Sequence, residues 1–146
     1  MKRKRAIVID DDKLVLFIHK IMIEDCRPVW DTDYFPDGQS ALNYINAQAS
    51  AEINFLIFLD ISMPGLSGWE ILDELEKNPF YDQIFVVLVT AFNSVEDKTK
   101  SAKYKQVKAH LAKPFKTNDF NSLKAIDELA QFFENDIINK DVDLKT

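Results

Sequence analysis

Three consecutive aspartates, Asp10, Asp11 and Asp12, and a fourth, Asp60, stand directly after runs of apolar residues, and so do Thr90 and Lys113. Carboxylates brought together without a counter-charge repel one another, which raises their pKa values and costs stability. A hard divalent cation resolves that conflict: Mg2+ accepts oxygen ligands, keeps several waters and bridges one or two carboxylates to a phosphate. With one Cys and two His in the chain, there is no ligand set that would prefer zinc. Lys113 and Thr90 supply what acids lack, a positive charge and a hydroxyl donor, and both suit the oxygens of a phosphoryl group. Taken singly, each residue has an ordinary structural explanation: Asp60 as a turn former, Asp12 as a helix N-cap, Thr90 as a strand-end hydroxyl, Lys113 as a surface lysine. Their joint appearance at strand ends is harder to explain that way.

The elements that must position them follow from periodicity. Residues 55–59, FLIFL, are apolar without alternation, as in a strand buried on both faces of a parallel sheet. Asp60 ends that run, and Ser62, Pro64, Gly65, Ser67 and Gly68 form a loop before a helix opening at Trp69. Residues 6–9 and 84–89 read as further buried strands, residues 109–112 as a brief last one, and 29–35 as an edge strand interrupted by Asp31 and Asp33. The helix after Asp12 is expected to turn Leu14, Phe17, Ile18, Ile21 and Met22 inward, leaving His19 in solvent, and to stop at Pro28. A second helix carries Ala41, Leu42, Ile45 and Ala49, with Asp37 or Ser40 as its cap. A third carries Trp69, Ile71, Leu72 and Leu75 and ends near Asn78-Pro79. A Lys-rich fourth is expected from Ser94 or Asp97 to about Val107, its exposed face a docking surface or simply solvated. A last helix carries Phe120, Leu123, Ile126, Leu129, Phe132 and Phe133. Five strand-helix units in alternation predict an α/β fold with a parallel sheet, helices on both faces and all five strand ends on one rim, where ligands of such sheets bind. The strand order stays open on these grounds.

The 146 residues fit one domain, residues 1–135, with a polar tail at 136–146. A net charge of −6 and a pI near 4.9 argue against a general nucleic-acid surface, and the basic cluster Lys2 to Arg5 is short. Cys26 has no partner for an internal disulfide, and neither a leader nor a membrane-length apolar stretch is legible. A cytoplasmic protein without membrane or direct nucleic-acid contacts is expected.

The pieces IVIDDD, LDISMPGLSG, VVLVTA and AKPF, in that order and separated by helices, resemble a response-regulator receiver domain, the phosphoacceptor module of two-component signalling. The resemblance covers residues 5–133. It implies a doubly wound, flavodoxin-like sheet of order 2-1-3-4-5, which puts the acidic pair and Asp60 on adjacent strands. It implies that Asp60 accepts phosphate as an acyl phosphate, that Asp10 and Asp11 hold Mg2+ (or Mn2+) with Asp60 and the Ser62 backbone carbonyl, and that Asp11 is the direct ligand of the pair. Asp12 falls outside the pair, as a cap. Thr90 would bond a phosphate oxygen with Ala91 leaving room, Lys113 would pair with the phosphate, and Pro114 matches the family's cis-prolyl position. His110 departs from the pattern: it stands where many members carry a switching aromatic, so Thr90 and His110 form the expected switch pair. Phe92 is a bulky residue close to the mouth, there to restrict water or merely to pack.

On this reading the donor is a phosphohistidine on a sensor histidine kinase or histidine phosphotransfer protein, and the tail is too short for an output domain. The chain is then expected to be a stand-alone receiver that signals to a partner protein or relays the phosphoryl group onward. It would not be a turnover enzyme, though self-catalysed phosphotransfer and autodephosphorylation belong to such a module. A phosphorylation-independent receiver-like binding module is the alternative. A haloacid-dehalogenase-type phosphatase fits poorly because Asp60-Ile61-Ser62 lacks its second carboxylate, and a dinucleotide site fits poorly because three glycines cannot build the required turn.

Overall fold

The computed structural model describes residues 2–26, 30–91 and 95–133. Its sheet has five parallel strands in the order β2-β1-β3-β4-β5: β1 (Arg3–Ile9), β2 (Asp31–Phe35), β3 (Ile53–Asp60), β4 (Ile84–Thr90) and β5 (Val107–Ala112). The interleaved helices are α1 (Lys13–Asp25), α2 (Gly38–Gln48), α3 (Gly68–Glu76), α4 (Val95–Ser101), α5 (Thr117–Lys124) and α6 (Asp127–Ala130). The expected class and strand order are both observed. The tail at 136–146, and Pro28, Phe92 and Ser94, lie outside the described residues.

Strand alternation divides the interior into two cores. Ile7, Ile9, Phe55, Ile57 and Leu59 face one side and pack with Ala41, Leu42, Ile45, Ile71, Leu72 and Leu75 of α2 and α3. Ala6, Val8, Leu56 and Phe58 face the other and pack with Ile23 of α1, Phe120 and Leu123 of α5, and Leu129 of α6. All eight residues of β3 are buried, which is why its sequence shows no polar alternation.

The helix ends follow local rules. Asp12 caps α1, its carboxylate accepting from the Leu14 and Val15 amides, and Asp37 caps α2 through the Ser40 amide. Ser67 and Glu70 form a capping box at α3.

Three expectations are corrected. In α1 the inward stripe is Leu16, His19, Met22, Ile23 and Cys26, while Leu14, Phe17, Ile18 and Ile21 are exposed. Apolar residues surround most of this helix, so two stripes have helical spacing and only one can face the sheet. The fourth helix ends at Ser101, well before Val107, which already belongs to β5. The last helix is broken at Ile126, whose backbone is extended. Phe120 and Leu129 would lie roughly half a turn apart on one straight helix, since each residue advances about 100°; the break lets both enter the same core.

Candidate functional site

The register of the strands assembles the site. Ile9 pairs with Leu59 across β1 and β3, so Asp10 and Asp60 emerge abreast. Asp60 pairs with Val89, which puts Thr90 one step beyond it on β4, and Thr90 pairs with Ala112, which puts Lys113 next on β5. The loop after β5 is tied back by the Lys113 amide, which donates to the Thr90 carbonyl at 2.8 Å. The Lys113-Pro114 peptide bond is cis.

Asp10 and Asp60 are both 2% exposed, and Lys113 reaches them from the rim, its Nζ 3.0 Å from Asp10 Oδ2 and 2.9 Å from Asp60 Oδ2. The remaining carboxylate oxygens meet backbone donors: the Asp12 amide donates to Asp10 Oδ1 at 2.9 Å and the Ser62 amide to Asp60 Oδ1 at 3.2 Å. Apart from its contact with Lys113, Asp60 Oδ2 is a buried oxygen with no hydrogen-bond partner among the described residues. Asp11 is exposed, and its carboxylate completes a trio: one oxygen from each of Asp10, Asp11 and Asp60 lies within 4.8 Å of the others. Three converging carboxylates, one with an under-used oxygen, are a donor set suited to a hard divalent cation.

Burial pushes the Asp60 carboxyl up to about 6, the Asp10 charge adds to the effect, and Lys113 and the Ser62 amide oppose it. Burial alone would lower Lys113, but the bonds and charges of Asp60 and Asp10 outweigh it and raise the ammonium above its ordinary value.

Two glycines shape the loop after β3. Gly65 has φ +76°, a conformation that side chains with a Cβ rarely adopt. Gly68 lies so close to the Asp60 turn that a Cβ would stand 2.6 Å from Ile61 Cα and 2.7 Å from the Asp60 carbonyl oxygen, and its amide donates to the Ile61 carbonyl at 2.9 Å.

The structure therefore brings Asp10, Asp11, Asp60 and Lys113 together, with Thr90 buried at the neighbouring strand end and Ser62 joined to Asp60 through its backbone. His110 is half-buried beneath α4, its Nε2 2.6 Å from Ser101 Oγ. The single Ser101 hydroxyl proton goes to the Lys98 carbonyl, so the imidazole Nε2–H is the donor to Ser101. Burial and then Lys98 lower the His110 pKa below its usual value. Sequence reasoning missed His19, which is buried against the Lys113 loop. The signal was its place in the second apolar stripe of α1, between Leu16 and Ile23.

The model of the response regulator receiver domain family matches residues 6–124. The chain belongs to this family. Among relatives, it is 31% identical over 124 residues to the probable transcriptional regulator ycf29 of Pyropia yezoensis, covering 84% of this chain and 52% of that one. It is 30% identical over 119 residues to the transcriptional regulatory protein PcoR of Escherichia coli, covering 82% and 47%. The receiver chain thus spans about half the length of these curated relatives. Among solved structures, a two-component response regulator from Cytophaga hutchinsonii superposes with a TM-score of 0.74 at 25% identity, covering 90% of this chain and 99% of that one. A receiver protein from Methanospirillum hungatei, described as CheY-like, shares the fold with a TM-score of 0.66 at 22% identity, covering 88% and 96%. Among the described residues, no helix of this receiver is long and apolar enough to cross a membrane.

Proposed function

We propose that this receiver is a phosphoryl acceptor in two-component signalling, with Asp60 as the residue modified. The donor is a phosphohistidine on a sensor histidine kinase or a histidine phosphotransfer protein. An Asp60 carboxylate oxygen attacks phosphorus, the P–N bond breaks, and its electron pair returns to the donor imidazole. The product is an acyl phosphate on Asp60 whose further transfer, or hydrolysis by water, restores the carboxylate. The observation that carries this reading is the convergence of Asp10, Asp11 and Lys113 on a buried carboxylate at a strand end.

The roles follow from what each group already touches. Lys113 is within ion-pair distance of the reacting carboxylate and would follow the phosphoryl oxygens as charge builds on them. Thr90, at the adjoining strand end, would donate its hydroxyl to one of those oxygens. Mg2+ or Mn2+ would be held by Asp11 and Asp60 with the Ser62 carbonyl. Asp10 would act through water, keeping its hydrogen bond from the Asp12 amide. When bound, the cation neutralises charge between carboxylates and phosphoryl group. With Thr90 and Lys113 closed on the phosphate, the acyl phosphate would bias α4, β5 and the last helix as an output face for a partner protein, or be passed onward. The protein is cytoplasmic and is no turnover enzyme on this reading.

The test is incubation with a small phosphodonor, with and without Mg2+, followed by intact mass. Wild type gains one phosphate only with the cation and Asp60→Asn gains none. No gain on wild type, or equal gain on Asp60→Asn, refutes the proposal. Partner binding that is metal-independent and unchanged by Asp60→Ala would favour a phosphorylation-independent module instead.

A further inference from the structure

His19 is a polar group in a place where an apolar side chain would pack. It is 1% exposed, at mid-helix in α1, and its ring stacks on Phe115 with centroids 3.8 Å apart and planes 14° from parallel. The Phe115 amide donates to His19 Nε2 at 3.2 Å. Nε2 can accept only when it carries no proton, so the neutral ring holds its proton on Nδ1. Nδ1 is buried without a hydrogen-bond partner among the described residues. Burying an unpaired N–H costs free energy that a leucine would avoid. What the histidine offers in exchange is an acceptor for one particular backbone amide.

That amide lies two residues past Lys113. The lysine segment is thus held at two points, by the Lys113 amide on the Thr90 carbonyl before it and by His19 on the Phe115 amide after it. Phe115 is gripped again by its ring, which packs on Phe58 of β3 at 4.9 Å and on Phe120 of α5 at 5.8 Å. Phe58 lies two residues before Asp60, and α1, which carries His19, starts at the cap residue whose amide bonds Asp10. One imidazole therefore links the helix after the acidic pair to the loop that carries the lysine.

We propose that His19 is a positioning residue of the acceptor site: through the Phe115 amide it fixes the Lys113 loop so that Nζ stays within reach of both Asp10 and Asp60. The proposal rests on the phosphoryl-acceptor reading above. Burial, aided by the Lys113 charge, lowers the His19 pKa to about 4, which keeps the Nε2 lone pair available at neutral pH.

The test compares His19→Leu, which fills the space without an acceptor, with His19→Gln, whose amide oxygen can stand in for Nε2. With a small phosphodonor and Mg2+, His19→Leu should lower the maximal phosphorylation rate by about tenfold, as expected for loss of alignment. Its Mg2+ affinity should stay within about twofold, because the ligating oxygens do not depend on the latch. His19→Gln should recover most of the rate. In the unphosphorylated protein, the Phe115 amide should exchange faster with solvent in His19→Leu and near the wild-type rate in His19→Gln. A folded His19→Leu with the wild-type rate and Phe115 protection overturns the proposal, as does equal impairment of both variants. Should His19→Leu not fold, the nitrogen NMR shifts of wild-type His19 decide: an unprotonated Nε2 at neutral pH supports the latch and a protonated one overturns it. Absence of phosphate on wild type would sink the acceptor reading and this role with it. Phe115 exchange would still reveal separately whether His19 holds the loop.

Discussion

Removing the Asp60 charge should stabilise the metal-free protein. The carboxyl is 2% exposed, and burial followed by the Asp10 charge, partly offset by Lys113, puts its pKa at about 6 where an unperturbed group has 3.8. The folded state therefore binds this proton more tightly than the unfolded chain does. The resulting penalty is absent below the unfolded value and grows as pH rises, reaching its full size above the folded value. A shift of about two pK units corresponds to about 3 kcal/mol at pH 7, and roughly half of that at pH 5. Asp60→Asn removes this net penalty, in which the attraction to Lys113 is already counted, and leaves the ammonium paired with Asp10, so a gain of about 1–3 kcal/mol is expected at pH 7. Urea unfolding of both proteins in EDTA at neutral pH and near pH 5 measures it. Saturating Mg2+ should then close the gap, since a ligand that binds the folded wild type raises its stability by mass action. A variant less stable than wild type in EDTA at neutral pH, or an advantage that grows on acidification, would refute the reasoning.

Lys113→Met takes away the only cation that, among the described residues, is in ion-pair contact with Asp10 and Asp60; it should cost about 2 kcal/mol or more in urea unfolding and move the pH dependence of phosphorylation to higher pH, because Lys113 holds the Asp60 pKa down. Gly68→Ala sets a Cβ against Ile61 Cα and the Asp60 carbonyl, and should cost about 2–4 kcal/mol together with a loss of Mg2+ affinity measured by titration. Phe17→Ser, on the exposed side of α1, should change stability by less than about 0.5 kcal/mol, whereas Ile23→Ala should cost about 2–4 kcal/mol in the same unfolding assay. His110→Tyr breaks the bond to Ser101 and should alter partner affinity more than the phosphorylation rate, compared by titration and by mass; the reverse order would make His110 a site residue and not a relay.

The parts of this protein that could be read from its sequence are those where burial is total. β3 is apolar throughout because both its faces are covered, so the point where Asp60 interrupts it is visible as a point. The same holds at Asp10 and Thr90, while the strand before Lys113 is mostly half-buried and only its Leu111 is buried; a parallel sheet brings such ends to one edge whatever its strand order. Half-buried elements were less legible. In α1 two apolar stripes compete, and periodicity has no means of choosing between them without knowing what the sheet offers. The stripe that faces inward is the one with a histidine in it, because Phe115 presents both a ring on which the imidazole stacks and an amide that donates to its Nε2. No Gly or Pro marks the break at Ile126. It arises because Phe120 and Leu129 must share one core, a requirement of packing that no local signal encodes.

The central claim is that Asp60, and no other carboxylate of the acidic trio, becomes an acyl phosphate. Treatment with a phosphodonor and Mg2+, reduction with borohydride and peptide mass mapping test it most directly, because reduction of an aspartyl phosphate leaves homoserine at the modified position. Homoserine is expected at position 60 alone. Homoserine at position 10 or 11, or none at any position, would contradict it.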